Sequence, residues 1–205
     1  MSKAKVEMDP KYILELTLKL FATCVVVAGL LGLVNSVTEG PITAINKAKT
    51  EEAMKAVVAD PANSTFSDAL ALSDEMTAAA LGNGGTLTEA YEVQVGGAPA
   101  GHALKIVASG SQGNIEMMVG LDADGVVTGV SIVDNAETAG IGSKVMGNEP
   151  NNDGVPVLDQ FKGMSAADGT LSVGTNVTAI TGATVSSKGV TSGVNAALAV
   201  AGVLG

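Results

Sequence analysis

No arginine and no tryptophan occur in the 205 residues, and histidine and cysteine occur once each, as His102 and Cys24. Each absence removes a class of chemistry. Without arginine there is no planar guanidinium fork for bidentate capture of phosphate or carboxylate. Any anion must instead be held by lysine, hydroxyls, backbone N–H groups or a helix N-terminus. One cysteine excludes an internal disulfide and any cluster of thiolate ligands. One histidine with no Cys or His companion makes no zinc-type ligand set, and it has no Ser/Asp partners for a hydrolytic triad; His102 reads as a surface residue at the start of a strand. Aromatic residues are 2% of the chain, so the core must be built from Val, Ala, Leu, Ile and Met, and 26 glycines imply many tight turns. The net charge of −10 argues against nucleic acid, whose phosphates need clustered cations.

What is present begins with an apolar run. Residues 20–34, LFATCVVVAGLLGLV, carry no charge, and residues 12–18 extend the run backwards past Glu15 and Lys19. Those two are spaced i, i+4, so they can pair or snorkel at a membrane surface. Residues 12–36, about 25 in all, suffice to cross a bilayer as one helix. A cleaved signal peptide competes with this reading, but VNSVTEG after the run is a poor small-x-small cleavage site. A retained single-pass anchor is therefore expected, with Cys24 as a small lipid- or helix-facing residue inside it. Lys3, Lys5, Lys11 and Lys19 precede or enter the span and Glu39 is the first charge after it. The positive-inside rule then puts residues 1–11 in the cytoplasm and the bulk of the chain outside. Beyond Ser36 lie 18 of the 21 acidic residues and 7 of the 11 lysines, a net charge of −11.

Residues 37–85 read as a helical connector. Residues 42–60 mix alanine with i, i+4 charges as an amphipathic helix stopped by Pro61, and residues 63–85 read as short helix and loop broken by glycines. The period then changes to two. EAYEVQV, HALKIVASG, IEMMVGLD and VVTGVSIVD are four strands separated by turn residues, an antiparallel meander within an α+β domain over residues 86–205. DADG, residues 122–125, invites a calcium reading, but the twelfth position of such a loop is Val133 and not a carboxylate, so a hairpin turn is expected. A last short strand, VTAI, leads into residues 185–204. There Val190, Val194, Ala197, Leu198 and Ala201 recur at helical spacing and predict a helix packed on the sheet.

Between that strand and that helix lies ITGATVSS, residues 180–187. Thr184 stands at the helix N-terminus, where unpaired N–H groups and the positive end of the dipole favour a phosphate, and Gly182 and Ala183 leave room for a close approach. The plain alternative is that Thr184 or Ser186 is an N-cap.

TGATVSSKGV resembles the flavinylation motif of the FMN-binding domain family, in which the final Thr of Ser/Thr-Gly-Ala-Thr carries FMN through a phosphoester. GNIEMMVGLDADGVVTGVSIVDNAETAGIGSKV resembles that family's middle segment, a Gly-x-Ile strand, an Asp-Gly hairpin and a Glu-Thr-x-Gly-x-Gly loop in that order. VLDQFKGM resembles its Gln-Phe-x-Gly element. The resemblance implies an α+β fold with one N-terminal transmembrane helix followed by an FMN-binding domain of antiparallel sheet and flanking helices. It implies FMN attached covalently through its phosphate to Thr184, with Thr181, Gly182, Ala183, Ser186, Ser187 and Lys188 around the attachment point. It further implies that Glu137, Thr138, Gly140, Ile141, Gly142, Lys144, Phe161 and Lys162 line the flavin. The implied role is an inner-membrane electron carrier in an Rnf-type ion-translocating ferredoxin:NAD+ oxidoreductase. Its partners would be the other membrane, iron–sulfur and flavin subunits, with a flavin transferase for maturation. The equivalent subunit of a sodium-pumping NADH:quinone oxidoreductase, a stand-alone flavin reductase domain and a non-redox anchored binding module are the alternatives.

Overall fold

The structure, a computed structural model, describes residues 10–204; Lys3 and Lys5 of the orientation argument lie outside them. The chain divides into two compact units, one running to Ala48 and the other starting at Lys49.

The first unit is helical throughout its described residues, as the leading part of α1 (Pro10–Val57). Every residue from 10 to 48 is exposed, including Leu14, Phe21, Leu30 and Leu31. The helix is long and apolar enough to cross a membrane. Four threonines bond within the helix: the Thr17, Thr23, Thr38 and Thr43 hydroxyls each donate to the carbonyl four residues earlier. Lys19 pairs with Glu15 at 2.5 Å. A helix that closes its own backbone and side-chain hydrogen bonds is what a hydrocarbon phase permits. The helix does not end with the apolar run at Ser36 but continues to Val57.

The second unit is an α+β domain around a five-stranded antiparallel sheet of order β1-β2-β3-β4-β5. Its strands are β1 (Ser64–Phe66), β2 (Gly85–Val95), β3 (Ala98–Ser109), β4 (Asn114–Asp122) and β5 (Val127–Asn135). The four long strands follow the alternation in the sequence. β1 does not; its three residues add to the β2 edge, Phe66 opposite Val93, and are too few to show a period. So residues 37–85, read as helical connector, include an edge strand as well as α2 (Asp74–Gly82).

Helices α2 and α4 (Thr184–Leu204) cover one face, burying Met76, Leu104, Ile106, Met117, Val190 and Val194 among others. The last turns of α1 cover the other, where Ala53, Met54 and Val57 meet Val93, Ala103, Met118 and Val133. Met117 and Met118 point to opposite faces and both are 0% exposed. That is why IEMMVGL reads as nearly continuous apolar sequence. The cross-strand pair Gly120–Gly129 is where the helix end arrives: a Cβ at Gly120 would collide with the Val57 carbonyl. That carbonyl, among the last of α1, accepts the Thr128 hydroxyl at 2.5 Å, so an otherwise orphaned helix-end acceptor is satisfied.

The expected last strand, VTAI, does not form. Val177 makes one isolated bridge to Val173, and the backbone of Thr178 pairs with a side chain instead. Gln160 Oε1 accepts its N–H at 2.8 Å and Nε2 donates to its carbonyl at 3.1 Å. One glutamine thus replaces a strand partner.

Candidate functional site

Two connections meet at one end of the sheet. The first leaves β5 at Asn135, whose Oδ1 accepts the Glu137 N–H at 3.1 Å. The Thr138 carbonyl then accepts the N–H groups of both Ile141 and Ser143, at 3.3 and 3.2 Å. Gly140 takes φ +82°, and the short helix α3 (Gly142–Met146) follows. The second is the turn Ile180-Thr181-Gly182-Ala183, closed by the Ala183 N–H on the Ile180 carbonyl at 3.0 Å. Gly182 stands at the third turn position with φ +84°, which a type II turn requires there. The Ala183 carbonyl accepts the Ser187 N–H at 2.9 Å, and α4 is under way. Ala183 supplies no side-chain cap, so the N–H groups of the first turn have no side-chain oxygen from the position before them.

The hydroxyls of this segment have separate fates. Thr181 Oγ1 donates to Asn152 Oδ1 at 2.8 Å. Ser186 Oγ, in a residue 2% exposed, donates to Glu137 Oε2 at 2.6 Å. Ser187 Oγ, in a residue 1% exposed, donates to the Ala183 carbonyl at 3.0 Å. Thr184 is exposed, and no described residue takes its hydroxyl. The first three are structural bonds; the fourth is open to chemistry.

Thr184 lines an open depression of about 330 Å³ with Gly182, Ala183, Val185 and Ser186 on one side and Glu137, Thr138, Ile141 and Gly142 on the other. The β3–β4 turn contributes Ser111 and Gln112. The volume is in the range of small-molecule sites. Glu137 ties the walls together. Its Oε1 accepts the Ser111 and Gln112 N–H groups at 2.6 and 3.3 Å while Oε2 holds Ser186. A Cβ at Gly110 or at Gly142 would strike this carboxylate. Two glycines are therefore needed around one glutamate.

The structure brings eight of the fifteen expected residues to this depression: Glu137, Thr138, Ile141, Gly142, Gly182, Ala183, Thr184 and Ser186. Thr181, Gly140, Lys144, Ser187 and Lys188 are adjacent in sequence but do not line it. Phe161 lies in the core at 1% exposure, in a 3-10 turn (Asp159–Phe161) beside β5, and Lys162 pairs with Asp159 at 2.9 Å. In a chain this poor in aromatics, that ring fills the interior. Ser111, Gln112 and Val185 line the depression as well; Val185 falls within TGATVSSKGV but reads there only as the start of the last helix. Ser-Gln-Gly-Asn reads only as turn punctuation, and nothing local says which carboxylate its N–H groups will meet.

The donor set fits a phosphate monoester. A partnerless hydroxyl stands on a helix N-terminus, where N–H groups and the dipole favour an anion, and small residues flank it. No lysine lines the depression, so backbone donors take the place of the missing arginine. Ile141 and Val185, 53% and 57% exposed, offer apolar surface beside the phosphate position for a planar ring.

The FMN-binding domain family matches residues 110–199, a stretch that holds both walls of the depression. Over the whole length, the chain is 35% identical to the G subunit of the Na(+)-translocating ferredoxin:NAD(+) oxidoreductase complex of Acetobacterium woodii, covering 97% of this chain and 96% of the relative. It is 26% identical to the G subunit of the ion-translocating oxidoreductase complex of Methanosarcina acetivorans, covering 93% and 95%. A shorter match, 39% over 27% of each chain, is to the protein of the same name in Aliivibrio fischeri. With an anchor-like helix, an antiparallel domain and a phosphate-ready threonine in one chain, and a full-length relative at this identity, the chain belongs to the family of G subunits of ion-translocating oxidoreductase complexes and carries that family's FMN-binding domain.

Proposed function

We propose that this protein is a membrane-anchored flavoprotein subunit that relays electrons within an Rnf-type ion-translocating ferredoxin:NAD+ oxidoreductase, with FMN joined through its phosphate to Thr184. Residues 12–36 span the membrane once, residues 1–11 lie in the cytoplasm, and residues 37–85 connect the span to an FMN-binding domain over residues 86–205. The partners are the other membrane, iron–sulfur and flavin subunits of the complex, and a flavin transferase installs the cofactor. The observation that carries the reading is the unequal fate of the hydroxyls at the head of α4: Thr181, Ser186 and Ser187 are each bonded within the protein, and Thr184 is not.

The bound flavin would supply the redox chemistry by accepting and returning electrons. The chain's own residues do the rest. The first-turn N–H groups of α4 hold the phosphate, Gly182 and Ala183 keep the approach clear, and Ile141 and Val185 give the ring an apolar rest.

Attachment needs an activated donor, because joining free FMN to a hydroxyl releases water in water. With a flavin-phosphate anhydride as donor, the Thr184 Oγ1–P bond forms and the anhydride P–O bond breaks. The leaving phosphate departs with the electron pair and takes up the threonine proton.

The test is the intact mass and the visible spectrum, after denaturation, of full-length protein made beside its flavin transferase. Wild type should gain one FMN phosphoryl group and stay yellow. Thr184→Val keeps the side-chain shape and deletes the oxygen; it should be colourless, unshifted in mass, and within about 0.5 kcal/mol of wild-type stability, as for an exposed substitution. A peptide map placing FMN on Thr181 or Ser186 would overturn the attachment site. Loss of flavin with undiminished ferredoxin-dependent NAD+ reduction would overturn the relay.

A further inference from the structure

The loop before the motif is built with more care than a surface connection needs. Asn151 is 7% exposed; its N–H donates to the Val155 carbonyl at 2.7 Å, and its Oδ1 accepts the N–H groups of Asp153 and Val155 at 2.9 and 3.1 Å. Pro150 bridges Pro156 across the loop base. Just beyond, Asn148, the one non-glycine residue at positive φ among those described, has its Oδ1 on the Leu158 N–H at 2.7 Å. The result is a small self-braced hairpin that holds up an exposed residue, Asn152.

Asn152 reaches the motif on both sides of Ile180. Its N–H donates to the Ala179 carbonyl at 3.4 Å, and its Oδ1 accepts both the N–H and the hydroxyl of Thr181, at 3.1 and 2.8 Å. Those contacts fix the entry to the turn whose next residues are Gly182, Ala183 and Thr184. Asn152 is exposed, so burial does not account for it. The bonds it makes all end on residues 179–181.

We propose that Asn152 is a positioning residue for the modification of Thr184: it clamps the turn so that the Thr184 hydroxyl meets the phosphoryl donor at the helix N-terminus in one fixed geometry. The same clamp explains the first motif position. The Thr181 hydroxyl donates to Asn152 Oδ1 beside the Thr181 N–H, so a side chain there without a hydroxyl loosens the hold on the turn. The inference rests on Thr184 being the attachment site; it concerns how the chain prepares that residue for the transfer.

The experiment follows the initial rate of FMN incorporation into the full-length membrane protein by intact mass, with purified flavin transferase and its flavin-dinucleotide donor, alongside thermal unfolding of each variant. Asn152→Ala and Thr181→Val should each slow incorporation about tenfold, since small misplacements of a reacting group cost that much or more. Thr181→Ser, which keeps the hydroxyl, should incorporate at the wild-type rate. The double variant should be no slower than the slower single, because the hydroxyl bond lost in Thr181→Val is one of the two that Asn152→Ala removes. A merely structural loop contact would lower the unfolding temperature and leave the rate of the folded fraction unchanged. The proposal is overturned if Asn152→Ala or Thr181→Val is labelled at the wild-type rate, or if Thr181→Ser is as slow as Thr181→Val. Should one variant not fold, the Thr181→Val and Thr181→Ser pair or the Asn152→Ala variant alone still decides. Failure of the wild-type chain to take up FMN at Thr184 would instead count against the attachment reading.

Discussion

Glu137 is where one residue has most influence on the site. Its carboxylate satisfies Ser186 Oγ, Ser111 N–H and Gln112 N–H together, so Glu137→Ala leaves the buried Ser186 hydroxyl and a turn without acceptors. The expected loss is about 1–3 kcal/mol, the cost of an unsatisfied buried polar group. Gly142→Ala should destabilise too, because its Cβ would meet Glu137 and would lie 2.9 Å from Ser186 Oγ. The two effects share one cause, so they should not add. Chemical denaturation of both single variants and the double should show Gly142→Ala costing clearly less once Glu137 is alanine. Equal costs in the two backgrounds would mean that the glycine answers to something other than the carboxylate. ETAGIG stands out in the sequence as a small-residue loop after a strand, and that much was legible. The role of its glutamate as a tie between three segments was not, because Ser111 and Ser186 are distant in the chain and meet it only once the strands pair and α4 packs on the sheet.

At the scale of elements, α4 shows how magnitudes decide between opposing effects. Gly189 and Gly193 lie on its buried face, and replacing glycine by alanine inside a helix gains about 1 kcal/mol of propensity. The neighbours differ, however. A Cβ at Gly189 would stand 2.6 Å from the Ser109 backbone carbonyl, whereas at Gly193 it would meet Met117 Sδ and Cε at 2.5 Å. A strand carbonyl cannot give way, and overpacking of that kind costs about 1–3 kcal/mol. The end of a methionine can re-rotamer. Gly189→Ala should therefore lower the urea midpoint, and Gly193→Ala should be near neutral; the reverse order would show that helix and sheet are less closely applied than the backbone contact implies. The helical spacing of Val190, Val194, Leu198 and Ala201 makes α4 legible, as alternation does the four long strands. VTAI has the same β-branched look and misleads, because Gln160 provides its backbone partners. STF is the opposite case: a strand made by the open edge of β2, without a pattern of its own.

For the whole molecule, the question is why a carrier would need its cofactor bonded on. A reversibly held flavin facing the outside of the cell is diluted without limit, whereas one in the cytoplasm is replenished; a chain without arginine also has few means of gripping a phosphate tightly. Both pressures favour a covalent link, provided that residues 49–204 lie outside. The lysines support that side. Lys11 and Lys19 flank and enter the apolar run, while Lys47, Lys49 and Lys55 stand eleven or more residues beyond Ser36 among Glu39, Glu51 and Glu52. Lys49 is moreover engaged by Asp134 at 3.3 Å. The orientation rule counts basic residues within about 15–20 residues of the span's ends, and four lysines, Lys3, Lys5, Lys11 and Lys19, precede or enter it against those three beyond it. Protease added to intact cells stripped of their wall should accordingly digest residues 49–204, and the same residues should be protected in inverted vesicles. The opposite pattern would place the domain in the cytoplasm, where flavin is not lost by dilution, and the dilution argument for the Thr184 link would fall even if the link itself were found.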